Sequence, residues 1–392
     1  MFAQVKIRPL LLLALFSLGI IIISIPLNYA SAWNAGAAGD WGCNSNTQKT
    51  VTTIKNQGPE RVWALGDYSY QSTATCWLNI INPVKSITRI AIGNHEDDSN
   101  EDFSKYMSSF GLTSTFYSII NTVQNSITIV MDSDHSSYSS GSSQYNFVLN
   151  ELKKPFKWKI VYIHKQFYTS PNTCSSSSCS NTGSDATNLR NIYQKWFDQY
   201  GVDLVLMGHV HNYQRTFPIK YDSGSPSSPI ITSTSSTDYT DPTGEIFALV
   251  GTGGVNFHAL SGKSSFVKYQ QDDRFGALDI SIENSGNTLA GRYYTNDGVK
   301  RDTFKINKGT SLASYSFGPS LSLSGEAPTS TLQSDKGSIG LSGGDLQTNQ
   351  GQDNSNQGQD NNNQPGQSNG QGKGLECEHF KNQGPERCRN QS

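Results

Sequence analysis

Charge is scarce in this chain of 392 residues: Asp, Glu, Lys and Arg make up 16% of it, and the formal net charge is -2. No block of Lys and Arg interrupts the sequence. That argues against a nucleic-acid partner, because proteins that follow a phosphate backbone carry a basic stripe. No Cys-x-x-Cys pair occurs, so the usual structural-zinc spacing is missing. Gly251-Thr252-Gly253-Gly254 has no Lys-Ser/Thr after it, which makes it a tight strand-end turn rather than a P-loop. Beyond Gly309 the apolar periodicity stops. From Gly343 to Gly374 the chain is largely Gln, Asn, Gly, Asp and Ser, too poor in apolar surface to offset chain entropy, and is predicted to stay disordered.

What is present starts with an export signature. Lys6 and Arg8 precede an apolar run from Pro9 to Leu27, and Ala30-Ser31-Ala32 then reads as a cleavage site, so a signal peptide ending at Ala32 is predicted. The rival reading is an uncleaved anchor, since the run approaches the ~20 residues that span a bilayer. Beyond this segment no membrane partner is expected. The cysteines, six in number, fall into three close sets, Cys43 with Cys76, Cys174 with Cys179 and Cys377 with Cys388, which suits disulfides outside the cytosol. Many Ser, Thr, Asn and Gly residues with little charge suit an extracellular surface.

Between Trp33 and Asn307, strand-like and helix-like stretches alternate, the pattern of a layered α/β domain. Helices are predicted over Thr47 to Lys55, Trp77 to Asn82, Glu101 to Phe110, Gln144 to Lys154 and Ala186 to Tyr200. The last two place Tyr145, Val148, Leu149 and Leu152, and then Leu189, Ile192, Tyr193, Trp196 and Phe197, on single faces, as core. Phe116 to Thr122 and Ile127 to Met131 read as an antiparallel pair. Asp222 to Thr243 reads as a surface loop, and Ala277 to Ile282, Thr288 to Tyr294 and Asp302 to Ile306 as a meander completing a second sheet. Lys381 to Arg387 repeats Lys55 to Arg61 letter for letter, and one copy is too little for a repeat architecture.

Short islands stand at the ends of apolar, β-prone runs: Asp40-Trp41-Gly42, Gly66-Asp67-Tyr68-Ser69-Tyr70, Gly93-Asn94-His95-Glu96, His164, and Gly208-His209-Val210-His211. Strand C-terminal ends are where open α/β sheets place their sites. Two ions about 3.5 to 4 Å apart need a bridging carboxylate and terminal N and O ligands, and the islands hold that inventory, with Asp67 the natural bridge. On an extended segment residues i and i+2 point the same way, so His209 and His211 can enter one cluster.

This ordered set resembles the calcineurin-like metallophosphoesterases, and purple acid phosphatases in particular, over about Trp33 to Ile306. The resemblance implies a four-layer α/β/β/α sandwich of two mixed sheets and hydrolysis of phosphate monoesters by in-line attack of a metal-bound hydroxide. It assigns Asp40, Asp67, Tyr70 and His211 to Fe(III), and Asp67, Asn94, His164 and His209 to Zn, Mn or Fe(II). It also gives His95, with Asn94, to the phosphate, His95 protonating the leaving alkoxide. No histidine follows His164, and Lys165 is left there as the residue to meet substrate charge. There is no room before Asp40 for the N-terminal β-sandwich of plant-type relatives.

Alternatives stand beside these assignments. Tyr70 could be an ordinary packed tyrosine beside a Zn, Mn or Fe(II) pair, His135 and His258 read as surface or loop histidines, and Arg215 either binds phosphate or has a structural salt-bridge or stacking role. The same fold could act on phosphodiesters or nucleotides, or serve as an inactive cell-surface binding protein. The predicted organisation is a signal or anchor over 1–32, a catalytic domain over 33–308 and a low-complexity tail over 309–392.

Overall fold

A computed structural model of the protein describes residues 33–97 and 102–309, together with the backbone of two short strands at 376–378 and 387–389. The predicted signal segment and the Gln/Asn-rich stretch lie outside the described residues. Among those described, no helix is long and apolar enough to cross a membrane.

Two seven-stranded mixed sheets form the molecule's centre. Edge to edge, the first runs Asp238–Thr240, Lys300–Asn307, Thr288–Thr295, Gly276–Glu283, Trp33–Ala38, Arg61–Ala64 and Thr88–Ile90. The second runs Val267–Gln271, Tyr213–Thr216, Ile246–Val250, Leu204–Met207, Trp158–Tyr162, Ser126–Val130 and Tyr117–Asn121. Within the first, Trp33–Ala38, Arg61–Ala64 and Thr88–Ile90 are parallel; within the second, Ser126–Val130, Trp158–Tyr162, Leu204–Met207 and Ile246–Val250 are.

Alternation along the strands builds the layers, because successive side chains leave opposite faces. Trp63, Leu65, Ile160, Tyr162, Leu204 and Leu206 share the core between the sheets. Their neighbours Val161, Val205 and Met207 pack under Val148, Leu152, Leu189 and Phe197 of the outer helices. On the other side Val62 and Ala64 meet Val51, Ile54, Trp77 and Tyr106. The result is the predicted α/β/β/α sandwich. Helix Ser45–Asn56 is capped by Asn44, whose Oδ1 accepts the N–H groups of Asn46 and Thr47, satisfying donors that the first turn leaves free.

Several local readings change. The run predicted as one helix from Ala186 to Tyr200 contains a π-turn at Arg190–Gln194 between Ser184–Leu189 and Lys195–Tyr200. The Ser/Thr-rich stretch read as loop contains Ile230–Ile231 and Asp238–Thr240. The latter adds a parallel edge strand beside Lys300–Asn307, because Tyr239 alternates inward and is buried. The C-terminal meander joins the sheet of Trp33–Ala38, with Gly276–Glu283 antiparallel to it.

Disulfides join Cys43 to Cys76 and Cys174 to Cys179, as predicted. Residues Asp345–Ser392 form a separate unit. In it Glu376–Glu378 pairs antiparallel with Arg387–Arg389, and Cys377 stands opposite Cys388 in the register. The repeated heptad thus begins, in its first copy, at the end of helix Ser45–Asn56 and runs into a strand. The interior of the second copy lies outside the described residues.

Candidate dinuclear metal centre

The loops leaving Trp33–Ala38, Arg61–Ala64 and Thr88–Ile90 meet those leaving Trp158–Tyr162 and Leu204–Met207. Backbone bonds lock the rims together: Gly39 N–H donates to Val250 O across the two sheets (2.9 Å), Asp40 N–H to Gly66 O (3.1 Å), and Gly208 N–H to His164 O (2.8 Å). The Cys43–Cys76 disulfide ties the loop of Asp40 to the helix that follows Tyr70.

All seven residues assigned to metal by resemblance fall in one cluster. Tyr70 OH lies 3.3 Å from Asp40 Oδ1, 3.1 Å from Asp67 Oδ2 and 3.1 Å from His211 Nε2, and His211 Nε2 lies 3.4 Å from Asp40 Oδ1. On the other side of Asp67, His164 Nε2 lies 3.2 Å from Asp67 Oδ2, 3.2 Å from Asn94 Oδ1 and 3.3 Å from His209 Nδ1. Donors around one ion with bonds of about 2.1 Å sit about 3.0 to 3.4 Å from each other, so these spacings match those that two donor sets sharing Asp67 would need to hold metal. Asp67, His164 and His209 are all buried and mutually close enough for one ion.

The histidine tautomers agree. His164 Nδ1 faces Leu65 O at 2.8 Å and His211 Nδ1 faces Asn256 O at 2.8 Å, so each donates its Nδ1–H to a carbonyl and turns Nε2 inward, the atom a metal would take. His209 is reversed: Nε2 contacts Ser178 Oγ at 2.9 Å and Nδ1 looks inward. The residues present therefore fit two metal ions.

Local backbone conformation is spent on this geometry. Asp40, Asp67, Tyr70 and His209 have φ of 59, 55, 55 and 71°, a left-handed region that costs non-glycine residues on the order of 1 kcal/mol or more each. Glycine is required where the loops touch. A Cβ on Gly66, itself at φ 92°, would stand 2.6 Å from His164 Nδ1, and one on Gly208 would stand 2.8 Å from Asp40 Oδ2.

The cluster is electrostatically tense without a cation. Burial opposes ionisation of Asp67, but His164, His95 and His209 hold its carboxyl well below the usual range. Burial works against protonating His164 as well, yet Asp67 and Asp40 lift its pKa to about 10, while burial and His164 press His209 down to about 4. Burial and the carboxylates of Asp67, Asp40 and Glu96 push the Tyr70 phenol far up. Only a strong positive charge beside it would favour the phenolate.

His95 stands at the rim with its side chain 39% exposed, Nε2 3.9 Å from Asp67 Oδ2 and its ring 4.2 Å from that of Tyr70. Lys165 is held between Asp134 (2.8 Å) and Asp185 (3.0 Å), so its ammonium is already paired. Arg215 resolves to the structural alternative, a buried two-pronged pair with Asp302 at 2.6 and 2.8 Å.

Two residues were missed as contributors to the site. Glu96, fully buried, accepts the N–H groups of Asp67 (2.8 Å), Gly93 (2.8 Å) and Tyr68 (2.6 Å), bracketing two ligand loops with one carboxylate. Its place inside Gly93-Asn94-His95-Glu96 was the available signal. His258, read as a loop histidine, stacks on His211 at 3.9 Å and accepts its backbone N–H through Nδ1. No spacing in the sequence marks it.

Residues 35–213 match the model of the calcineurin-like phosphoesterase family, a span containing all seven residues assigned to metal by resemblance. Over that span the chain matches the calcineurin-like metallophosphoesterase superfamily. The relatives it matches include purple acid phosphatases and a "Nucleotide pyrophosphatase/phosphodiesterase" of Hordeum vulgare. It is 29% identical over 187 residues to "Probable inactive purple acid phosphatase 1" of Arabidopsis thaliana, covering 46% of this chain and 28% of the relative. It is 31% identical over 142 residues to the same plant's "Fe(3+)-Zn(2+) purple acid phosphatase 12", covering 32% and 28%. The purple acid phosphatase structure from yellow lupin, Lupinus luteus, has the same fold: TM-score 0.61 at 20% identity, over 71% of this chain and 54% of that one. The matched region thus spans little more than a quarter of those curated relatives.

Proposed function

We propose that the protein is an extracytoplasmic hydrolase of phosphate monoesters, acid phosphatase-like, that works with two metal ions. The observation that carries this reading is the shared carboxylate: Asp67 Oδ2 lies 3.1 Å from the Tyr70 oxygen and 3.2 Å from His164 Nε2, so two donor sets meet at one atom. On this reading Asp40, Asp67, Tyr70 and His211 hold Fe(III), and Asp67, Asn94, His164 and His209 hold Zn, Mn or Fe(II). Bound there, the pair would acidify water to a nucleophile and neutralise charge on the phosphoryl oxygens.

The chain's own groups do the rest. Asn94 turns Oδ1 toward His164, which leaves its amide N–H groups for a substrate oxygen. His95 donates its backbone N–H to Asp67 Oδ1 at 2.9 Å, which fixes the residue while its half-exposed imidazole faces outward. That is where a leaving alkoxide needs a proton, a role worth about 10²- to 10⁴-fold. Location outside the cytosol is supported by the two disulfides, which a reducing compartment would not maintain.

The test joins metal analysis and visible spectroscopy of the purified protein to turnover of para-nitrophenyl phosphate and the bis-ester. Two ions per chain, a visible band lost in Tyr70→Phe, and preference for the monoester are the expected results. Preference for the bis-ester would move the assignment to a phosphodiesterase. Absence of bound metal and of turnover would favour an inactive binding protein.

A further inference from the structure

The Cys174–Cys179 loop does more than close on itself. Ser178, its penultimate residue, contacts His209 Nε2 through Oγ at 2.9 Å, and that Oγ lies 2.7 Å from Ser176 Oγ. A chain of hydroxyls from one small loop therefore ends on the one ligand histidine whose outer nitrogen does not face a backbone carbonyl. The loop is held firmly. Gln166 Nε2 donates to Ser178 O at 2.5 Å, and Thr173 N–H donates to Ala259 O at 2.8 Å, joining the loop to the segment that carries His258. A ring nitrogen of His258 lies within 4.8 Å of both disulfide sulfurs, and His258 in turn stacks on His211.

We propose that Ser178, carried on the disulfide-closed Cys174–Cys179 loop, is a positioning residue for the second metal, fixing His209 as the tautomer that offers Nδ1 to the ion. This rests on the two-metal reading. His209 Nε2–H donates to Ser178 Oγ, which donates onward to Ser176 Oγ, and the Nδ1 lone pair is left facing His164 and Asp67. The disulfide keeps the serine at that distance, since the loop is otherwise a run of serines with no apolar anchor of its own. Partners that orient a metal-bound histidine in this way typically contribute about 10- to 100-fold in metal affinity.

Zinc titration of the metal-free full chain against a chromophoric chelator tests this, alongside its thermal midpoint. Wild type is expected to take up two ions. Ser178→Ala should weaken one of them by about 10- to 100-fold, leaving the other and the metal-free midpoint unchanged, and Ser178→Thr should restore the lost affinity. Cys174→Ser/Cys179→Ser, which keeps Ser178 but opens the loop, should weaken the same ion by a smaller factor. Wild-type affinity at both sites in Ser178→Ala overturns the inference alone. Absence of zinc uptake by the wild type overturns it together with the two-metal reading.

Discussion

Strand Ile246–Val250 runs between two groups of buried carboxyls that are treated in opposite ways. At its C-terminal end, beside Val250, each site carboxylate accepts backbone N–H groups: Asp40 from His209, Asp67 from His95, and Glu96 from Asp67, Tyr68 and Gly93. At its N-terminal end, Glu245 is fully buried and faces a second carboxyl, Asp198, which accepts the N–H of Tyr221 (3.0 Å). Burial and Asp198 drive the Glu245 carboxyl well above the normal range, whereas Asp67 is held well below it. Burial alone does not decide whether a carboxyl keeps its charge. The loops at the C-terminal ends of the parallel strands bring several backbone donors to the site anions, whereas Glu245 is set against another carboxyl.

The contrast can be broken most severely at Asp67. Asp67→Asn removes the charge shared by both donor sets, and kcat/KM should fall on the order of 10³-fold or more as both ions are lost. Metal content and steady-state rates would show it, and turnover within tenfold of wild type would contradict the shared-ligand geometry. Glu96→Gln is the next test, because it makes the donor-rich end resemble the donor-poor one. One of three N–H groups would then face an amide N–H, and stability should drop by about 2 to 3 kcal/mol in urea unfolding. An unchanged midpoint would mean that the bracket carries no weight.

The smallest effect is expected at the other end. The folded state raises the pKa of Glu245, so its contribution is full below the unfolded pKa of ~4.3 and is lost as pH rises through the folded value. Glu245→Gln stays neutral throughout. It should match wild type in acid and gain about 1 kcal/mol near neutral pH, read as a higher thermal midpoint. An equal gain at both pH values would show that ionisation is not the cause.

Much of the candidate site was legible because each island assigned to metal follows an apolar strand and keeps its candidate ligand types in short range. Asp67 and Tyr70, or His209 and His211, need only a turn between them. Glu96 was visible as a letter of its motif but not as a bracket, since its donors include Asp67 and Tyr68, which are 29 and 28 residues away. Ser178 sits in a run of serines, where composition says nothing about which hydroxyl points inward. His258 reaches His211 from 47 residues on through a loop without periodicity. The edge strand Asp238–Thr240 escaped for a related reason: one buried tyrosine among Ser, Thr and Asp gives too little alternation to register.

The position of Trp33–Ala38 in mid-sheet also sets a timetable. The strand that delivers Asp40 is flanked by Arg61–Ala64 on one side and Gly276–Glu283 on the other, and Asn34 bonds Asp279 across a separation of 245 residues. A nascent chain emerging from the ribosome therefore holds every candidate metal ligand long before it holds the strand that completes their scaffold. Loop closure over such a distance makes assembly of the pocket a late, slow event in folding. A translation product that stops at Gln271 would carry the whole ligand set and still lack the wall behind it.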